Sequence, residues 1–418
     1  FLFVDIFNKK HFYNPYQLTF LMLTKRILKM NNFIYYAPTK VYFGKDEHKK
    51  IGEIVRGYGY KKIMIQYGQG SVKKSGLYDT VVNSLKENSV SYVEMGGVEP
   101  NPKVEFVREA VKKAKEEKVE LILAVGGGSV IDSSKTTAVG AMTDYDIWEY
   151  SMGKRTPEAA LDVGCILTHA AAGSEMSSSA VLTNLKLNMK KGFNSEHNRC
   201  KFAILDPCLT YTVGQYQTAC GIVDIMAHTM ERYFTVCPPV MITDSIAEAI
   251  LKTVIKSGRV LMENPKDYDA RANVMWASSL SHNDLTGCGR ENTLAVHQLE
   301  HALSGKYDNI AHGAGLAVLF PAWAKFVYKA NVKRFAQFAR NVWDVDEADD
   351  EKAAQKGIIE MQNFFKLLKM PSSLGDFNIG GESINELSDL CTFSKTRKIK
   401  SFIELDYDNV KEIFKICL

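Results

Sequence analysis

Leu121-Ile-Leu-Ala-Val125, followed at once by Gly126-Gly-Gly-Ser-Val-Ile-Asp-Ser-Ser-Lys135, is the stretch that decides the fold. Five apolar residues without a polar interruption are what a parallel strand covered on both faces requires. The three glycines after it let backbone N–H groups approach an anion, and the helix N-terminus that follows adds its dipole. Such a turn suits a pyrophosphate. It is neither Gly-x-Gly-x-x-Gly nor a Walker loop, and by itself a glycine-rich strand-to-helix turn serves equally well as a simple tight turn.

Working outward, Lys62-Ile-Met-Ile-Gln66 predicts a second buried strand, and Tyr67-Gly-Gln-Gly-Ser71 a turn into a helix. A strand is expected over 90–95. Asn101-Pro102 offers an N-cap and a first-turn proline for a helix from Lys103 to about Glu117. A strand-like segment runs over 33–43. Residues 1–29 are aromatic and basic with Asp5 the only acid, and their longest apolar run is far too short to span a bilayer. They are expected to be an extension outside the fold. After Thr210 the strands stop, and helices are expected over 231–234, 244–256, 270–280, 316–330 and 333–342. The acidic run 344–351 suits a solvated loop. These patterns give an α/β dinucleotide-binding domain with a parallel, Rossmann-like sheet over 30–210, and an all-helical domain over 211–418.

The second informative stretch holds Asp224, His228, His297, His301 and His312. Asp224 and His228 stand four apart on a predicted helix, as do His297 and His301, so each pair shares a face. His312 opens a Gly-Ala-Gly turn. One carboxylate and two or three imidazoles converging from separate segments suit a divalent Fe, Zn or Ni ion. Spacing alone does not separate His297 from His301 as the ligand. His282 has no partner at ligand spacing, and Asp284, Arg290 and Glu291 suit capping or inter-helix pairs.

The 418 residues exceed one core, so two domains are expected. A net charge of +4, with basic residues mostly interleaved with acidic ones, argues against nucleic acid or an anionic membrane as partner. The eight cysteines form no C-x-x-C pair, as expected of reduced thiols in a cytoplasmic chain.

In order along the chain come Gly126-Gly-Gly-Ser…Asp132-Ser-Ser-Lys, Ala172-Gly-Ser-Glu-Met, Asp206-Pro, Gly221-Ile-Val-Asp224…His228 and His297…His301…His312-Gly-Ala-Gly. Together they resemble the iron-containing (group III) alcohol dehydrogenase family, closest to its butanol dehydrogenase branch, over roughly 31–418. The resemblance implies a dehydroquinate synthase-like architecture with a metal in the cleft between two domains, and commonly a homodimer. It implies Asp224, His228, His297 and His312 as metal ligands (Fe²⁺ or Zn²⁺, with Ni²⁺ as a further candidate). His301 would lie beside the cofactor in a proton relay. Gly127, Gly128 and Ser129 would cradle the pyrophosphate, Asp132 would line the nicotinamide end, and Thr168, Lys190 and Leu209 would make further cofactor contacts. Four positions depart from the family: Ala172 replaces a threonine, Leu294 a tryptophan, Thr293 an acid, and Asn188 a frequent lysine, which leaves Lys190 as the expected phosphate contact.

An NAD-specific site commonly offers an acid to the adenosine ribose at the end of an early strand. Gly68-Gln-Gly70-Ser71 offers none, and Lys73 and Lys74 follow, so NADP(H) is expected over NAD(H), with Ser71 donating to a 2′-phosphate. The expected activity is reduction of short aldehydes, or oxidation of the corresponding primary alcohols. Alternatives are a glycerol-phosphate dehydrogenase or dehydroquinate synthase-like enzyme, or a catalytically silent metal- or nucleotide-binding protein.

Overall fold

The structure is a computed structural model that describes residues 30–236, 239–291 and 293–418. The extension expected over 1–29 lies outside the described residues. Strands β1 (Lys40–Phe43), β2 (Lys62–Gly68), β3 (Ser91–Val98), β4 (Leu121–Gly126) and β5 (Asp162–Leu167) precede a hairpin, β6 (Ser179–Asn184) and β7 (Met189–Asn194), and then β8 (Phe202–Leu205). All but the hairpin form one parallel sheet in the order β1-β8-β5-β4-β2-β3. β4 pairs with β2 on one side and β5 on the other, which buries all six of its residues. Its alternation does the rest. Leu121, Leu123 and Val125 pack in one core with α1 (Ile51–Gly57) and α2 (Leu77–Glu87), and Ile122 and Ala124 in another with α3 (Val104–Glu117) and α4 (Gly128–Ala141).

Several local expectations are corrected. Asn101-Pro102 does not cap α3. The N-cap is Lys103, because Pro102 and Lys103 are drawn into an extended contact with β6, where Thr183 N–H donates to Pro102 O at 2.8 Å. Asn101 instead takes φ 51° and turns its amide onto Asp308. The strand expected over 33–43 forms only at Lys40–Phe43, where β8 supplies a partner. β2 runs past Gln66 to Gly68, so Tyr67 belongs to the strand. Within the acidic run, Asp349 caps a helix by accepting from Lys352 N–H, and Asp350 and Glu351 fill its first turn, where carboxylates are stabilised by the positive end of the helix dipole.

Beyond Leu205 the chain is helical: α5 (Gln215–Tyr233), α6 (Met241–Glu263), α7 (Tyr268–His282), α8 (Ala295–Lys306), α9 (His312–Val327), α10 (Val332–Trp343), α11 (Asp350–Leu367), α12 (Ile384–Thr392) and α13 (Tyr407–Ile416). The helix expected over 231–234 is the last turn of α5, while the one expected over 316–330 begins earlier, at His312, and ends at Val327, where a tight 3-10 turn, Tyr328–Asn331, leads into α10. α5 is buried along its whole length from Thr218 to Tyr233. Two glycines let it approach its neighbours. A Cβ on Gly221 would stand 2.3 Å from Ala170 O, and one on Gly313 in α9 would stand 2.1 Å from Cys220 O. Among the described residues no helix is long and apolar enough to cross a membrane.

Candidate metal centre and cofactor cleft

The sheet and the helices enclose a cleft of about 2290 Å³, and nearly every side chain singled out from the sequence lines it. At its floor α5 presents Asp224 and His228 one turn apart, α8 presents His297 and His301, and the first residue of α9 is His312. Ligand atoms of Asp224, His228 and His297 lie within 4.8 Å of one another. Asp224 Oδ1 stands 3.5 Å from His297 Nε2 and 3.7 Å from His312 Nε2. His312 also groups with Glu300 and His301. The two groupings are compatible, because His312 turns one ring nitrogen to each.

Each imidazole is held by its other nitrogen. His228 Nδ1 lies 2.9 Å from the Asp224 carbonyl oxygen, His297 Nδ1 bonds the Glu231 carboxylate, and His312 Nδ1 bonds Glu300. An Nδ1–H that donates to oxygen leaves Nε2 as the free lone pair, which is the tautomer a metal needs. Glu231 is fixed by accepting from Val296 N–H, and Glu300 by Lys190 Nζ at 3.4 Å, with Ser304 Oγ accepting from the same amine at 3.1 Å.

These residues fit a divalent ion. Asp224 Oδ1 and His297 Nε2 are buried without a well-formed hydrogen bond, although Oδ1 stands 2.9 Å from His228 Nδ1, an arrangement that is costly unless something else satisfies them. Tetrahedral ligands about 2.1 Å from an ion stand roughly 3.4 Å from each other, close to the two separations from Asp224. The electrostatics agree. Burial works to raise the Asp224 carboxyl, but the facing histidines outweigh it and hold it well below the usual carboxylate range. Burial and the neighbouring His297 push His228 down to about 4, so it is neutral and able to ligate. His297 differs: burial lowers it, but Glu231 and Asp224 reverse this and hold it up at about 9, so an ion binding at Nε2 must displace a proton from that ring.

His301 lies apart from the Asp224 group, its ring 5.7 Å from that of His312. Burial, then the Lys190 charge, holds its imidazole well below its ordinary value, hence neutral. Asp132 bridges two segments, accepting from Ser174 Oγ and from Val181 N–H at 3.0 Å. Gly127, Gly128 and Ser129 open α4 against the cleft, and a Cβ at Gly127 would come within 3.2 Å of His169. Thr168 and Leu209 line the same wall. Gly68 ends β2 and Gly70 takes φ 122°, while the intervening Gln69 and the following Ser71 face the cleft. Lys190 does not reach toward that end; its amine is turned onto the Glu300 cluster.

Three participants escape sequence reasoning. Glu231 and Glu300 orient the histidines, yet each looks like one more helical acid. The available signal is that Glu231 follows His228 by three positions and Glu300 immediately precedes His301. His282 has no partner at ligand spacing, but its ring packs 4.1 Å from that of His228, and its Nδ1 lies 2.7 Å from Ala172 O. Asp284 and Arg290 do form inter-element pairs, with Arg199 at 2.7 Å and with Asp244. Leu294, one of the departures, holds φ 45° as the N-cap of α8.

The description "Iron-containing alcohol dehydrogenase" matches residues 38–207, and "Fe-containing alcohol dehydrogenase family, C-terminal" matches 218–418. The chain belongs to the iron-containing alcohol dehydrogenase family and is an oxidoreductase. It is 40% identical to NADH-dependent butanol dehydrogenase A of Clostridium acetobutylicum, over 92% of this chain and 99% of that one. It is 39% identical to the NADPH-dependent aldehyde reductase YqhD of Escherichia coli, over 86% and 92%. The crystal structure of NADH-dependent butanol dehydrogenase A from Thermotoga maritima superposes with a TM-score of 0.90 at 41% identity, covering 93% of this chain and 99% of that one.

Proposed function

We propose that the chain interconverts short-chain primary alcohols and aldehydes in a metal-dependent, NADP(H)-linked reaction. The single observation that carries the reading is the orphaned pair Asp224 Oδ1 and His297 Nε2, ringed by imidazoles whose Nδ1 atoms are already engaged. Asp224, His228, His297 and His312 would hold a divalent ion, Fe²⁺ or Zn²⁺ with Ni²⁺ as a further candidate. A bound ion supplies Lewis acidity toward a carbonyl oxygen, and a bound nicotinamide supplies the hydride.

The chain's own residues do the rest. Glu231 and Glu300 fix the tautomer and ring plane of His297 and His312. Gly127, Gly128 and Ser129 offer backbone N–H groups to a pyrophosphate. Thr168, Leu209 and Asp132 are assigned to the cofactor wall, and Lys190 to its nicotinamide end rather than its phosphates. His301, neutral and lining the same cleft, is assigned to relay the proton that the carbonyl oxygen takes up, one ring nitrogen donating as the other accepts.

NADP(H) preference is supported at the end of β2. Gln69, Ser71 and Lys74 line the cleft there, and Lys74 makes no ion pair among the described residues. Glu94 on neighbouring β3 is occupied, accepting from Tyr67 Oη at 2.6 Å, Tyr78 Oη at 3.0 Å and Lys73 at 3.1 Å. Since the relatives include both NADH- and NADPH-dependent enzymes, the test is steady-state oxidation of each cofactor with a panel of short aldehydes, before and after chelation of metal. Turnover that is abolished by the chelator, restored by Fe²⁺ or Zn²⁺ and faster in kcat/KM with NADPH is expected. Turnover indifferent to chelation would remove the metal from the reading.

A further inference from the structure

Where the hairpin and the C-terminal helices close over the cleft, two cations meet with no anion to answer them. Lys191, at the centre of β7, places its ammonium group 5.3 Å from the Phe393 ring centroid, and the Arg397 guanidinium stacks on that ring at 3.9 Å. All three line the same cleft as His297 and His301. Arg397 is tied to that histidine helix directly, since its Nη1 donates to Gln298 Oε1 at 3.1 Å, one residue after His297. Its remaining donors go to Cys391 O at 2.9 and 2.8 Å. Neither cation forms a salt bridge among the described residues, although ordinary lysines nearby do, as Lys306 does with Glu386.

Such an arrangement is unfavourable by itself. Burial, and then the facing Arg397, pushes the Lys191 amine down, and burial pushes Arg397 down. Half-buried like charges without a carboxylate are costly to hold. The turn that carries the ring is strained as well: Phe393, Ser394 and Lys395 hold φ of 48°, 54° and 67° in succession. A bulky aromatic in that region is an outlier, and strain of this kind persists at ligand clamps more than elsewhere. A cation pair left unanswered and a strained turn thus coincide on a wall of the proposed reaction cleft.

We propose that Lys191 and Arg397, flanking Phe393, form a subsite for an anionic group at the far end of the substrate, so that the enzyme favours aldehydes bearing a carboxylate over neutral aldehydes of equal length. The inference rests on the aldehyde-reductase reading and names its substrate class. The chemistry is unchanged: the carbonyl carbon takes a hydride from the reduced nicotinamide, its oxygen takes a proton, and the oxidised cofactor and a hydroxy acid leave.

The test compares butanal with succinic semialdehyde, its equal-length carboxylate, in the full chain and in Lys191→Met and Lys191→Glu. Wild type should show the higher kcat/KM with succinic semialdehyde. The ratio of the two should fall on the order of tenfold in Lys191→Met and further in Lys191→Glu, as expected when one charge-assisted contact is lost and then reversed. In parallel, binding of γ-hydroxybutyrate is measured calorimetrically, without turnover, and should be lost in Lys191→Glu. Binding that depends on Lys191 in a protein that reduces no aldehyde would sink the reductase reading and leave the anion subsite standing. A substrate ratio and carboxylate binding that neither variant moves would overturn the subsite. So would an equal rise in cofactor KM with both aldehydes, since it would assign the cations to the cofactor.

Discussion

Asp224 Oδ1 and His297 Nε2, carried by helices α5 and α8, face each other at 3.5 Å, both buried and neither hydrogen-bonded. The separation is too long for a hydrogen bond and close to the edge of a tetrahedral coordination sphere. Everything around the pair holds it in this posture: Glu231 fixes the far side of the imidazole, and the Gly313–Cys220 approach brings α9, with His312, against α5.

The carboxylates behind the histidines should matter nearly as much as the ligands. Glu231→Gln and Glu300→Gln are each expected to weaken divalent-metal affinity on the order of 10- to 100-fold while leaving the fold in place. Competition with a chelating dye measures this. Unchanged affinity in both would mean the rings are oriented by packing alone.

The close helix crossing gives a second expectation. Gly313→Ala puts a methyl group 2.1 Å from the Cys220 carbonyl oxygen, so α9 must move away from α5. Overpacking of this kind costs about 1–3 kcal/mol. Because His312 precedes the substituted residue, metal affinity should fall together with the thermal midpoint. A midpoint loss with affinity intact would show that His312 is placed by its own loop.

Cofactor choice is testable at Gln69 rather than at Gly70, where φ 122° leaves a side chain strained. Gln69→Asp, on the cleft wall, should raise the NADH-to-NADPH ratio of kcat/KM by opposing a 2′-phosphate. A ratio that stays put would move the phosphate away from this loop.

Asp244 offers a pH test remote from the metal. Burial works to raise its carboxyl, but Arg334, at 2.6 and 2.7 Å, and Arg290 outweigh it and hold it below the ordinary range. A depressed folded value means that the stabilisation is present above about pH 4 and is lost as pH falls through the folded value. Asp244→Asn should therefore cost about 3 kcal/mol at neutral pH, the range for breaking a buried pair. Urea unfolding of both proteins should show that gap closing below about pH 4.

Much of this was legible because period and spacing are local properties. Leu121–Val125 announced a doubly covered strand, and the Asp224/His228 and His297/His301 steps placed both pairs on helix faces. What spacing cannot carry is direction. His297 and His301 share a face, and only the crossing of α5 over α8 shows which ring points at Asp224. The partners of the ring nitrogens are likewise long-range facts, so Glu231 and Glu300 passed as ordinary helical acids. Asn101-Pro102 misled because a local capping pattern lost to a tertiary contact with Thr183. The cation pair at Phe393 was invisible for the same reason, since Lys191 and Arg397 come from opposite ends of the chain's fold.

The central claim is that Asp224, His228, His297 and His312 hold a metal while His301 does not. Elemental analysis of purified wild type, His297→Ala and His301→Ala, each loaded with Zn²⁺ and freed of excess, tests it directly. Wild type and His301→Ala should each retain about one ion per chain and His297→Ala far less, since a site cut to three ligands binds much more weakly. Retention in His297→Ala with loss from His301→Ala would contradict the account and assign the ligand role on α8 to the other histidine.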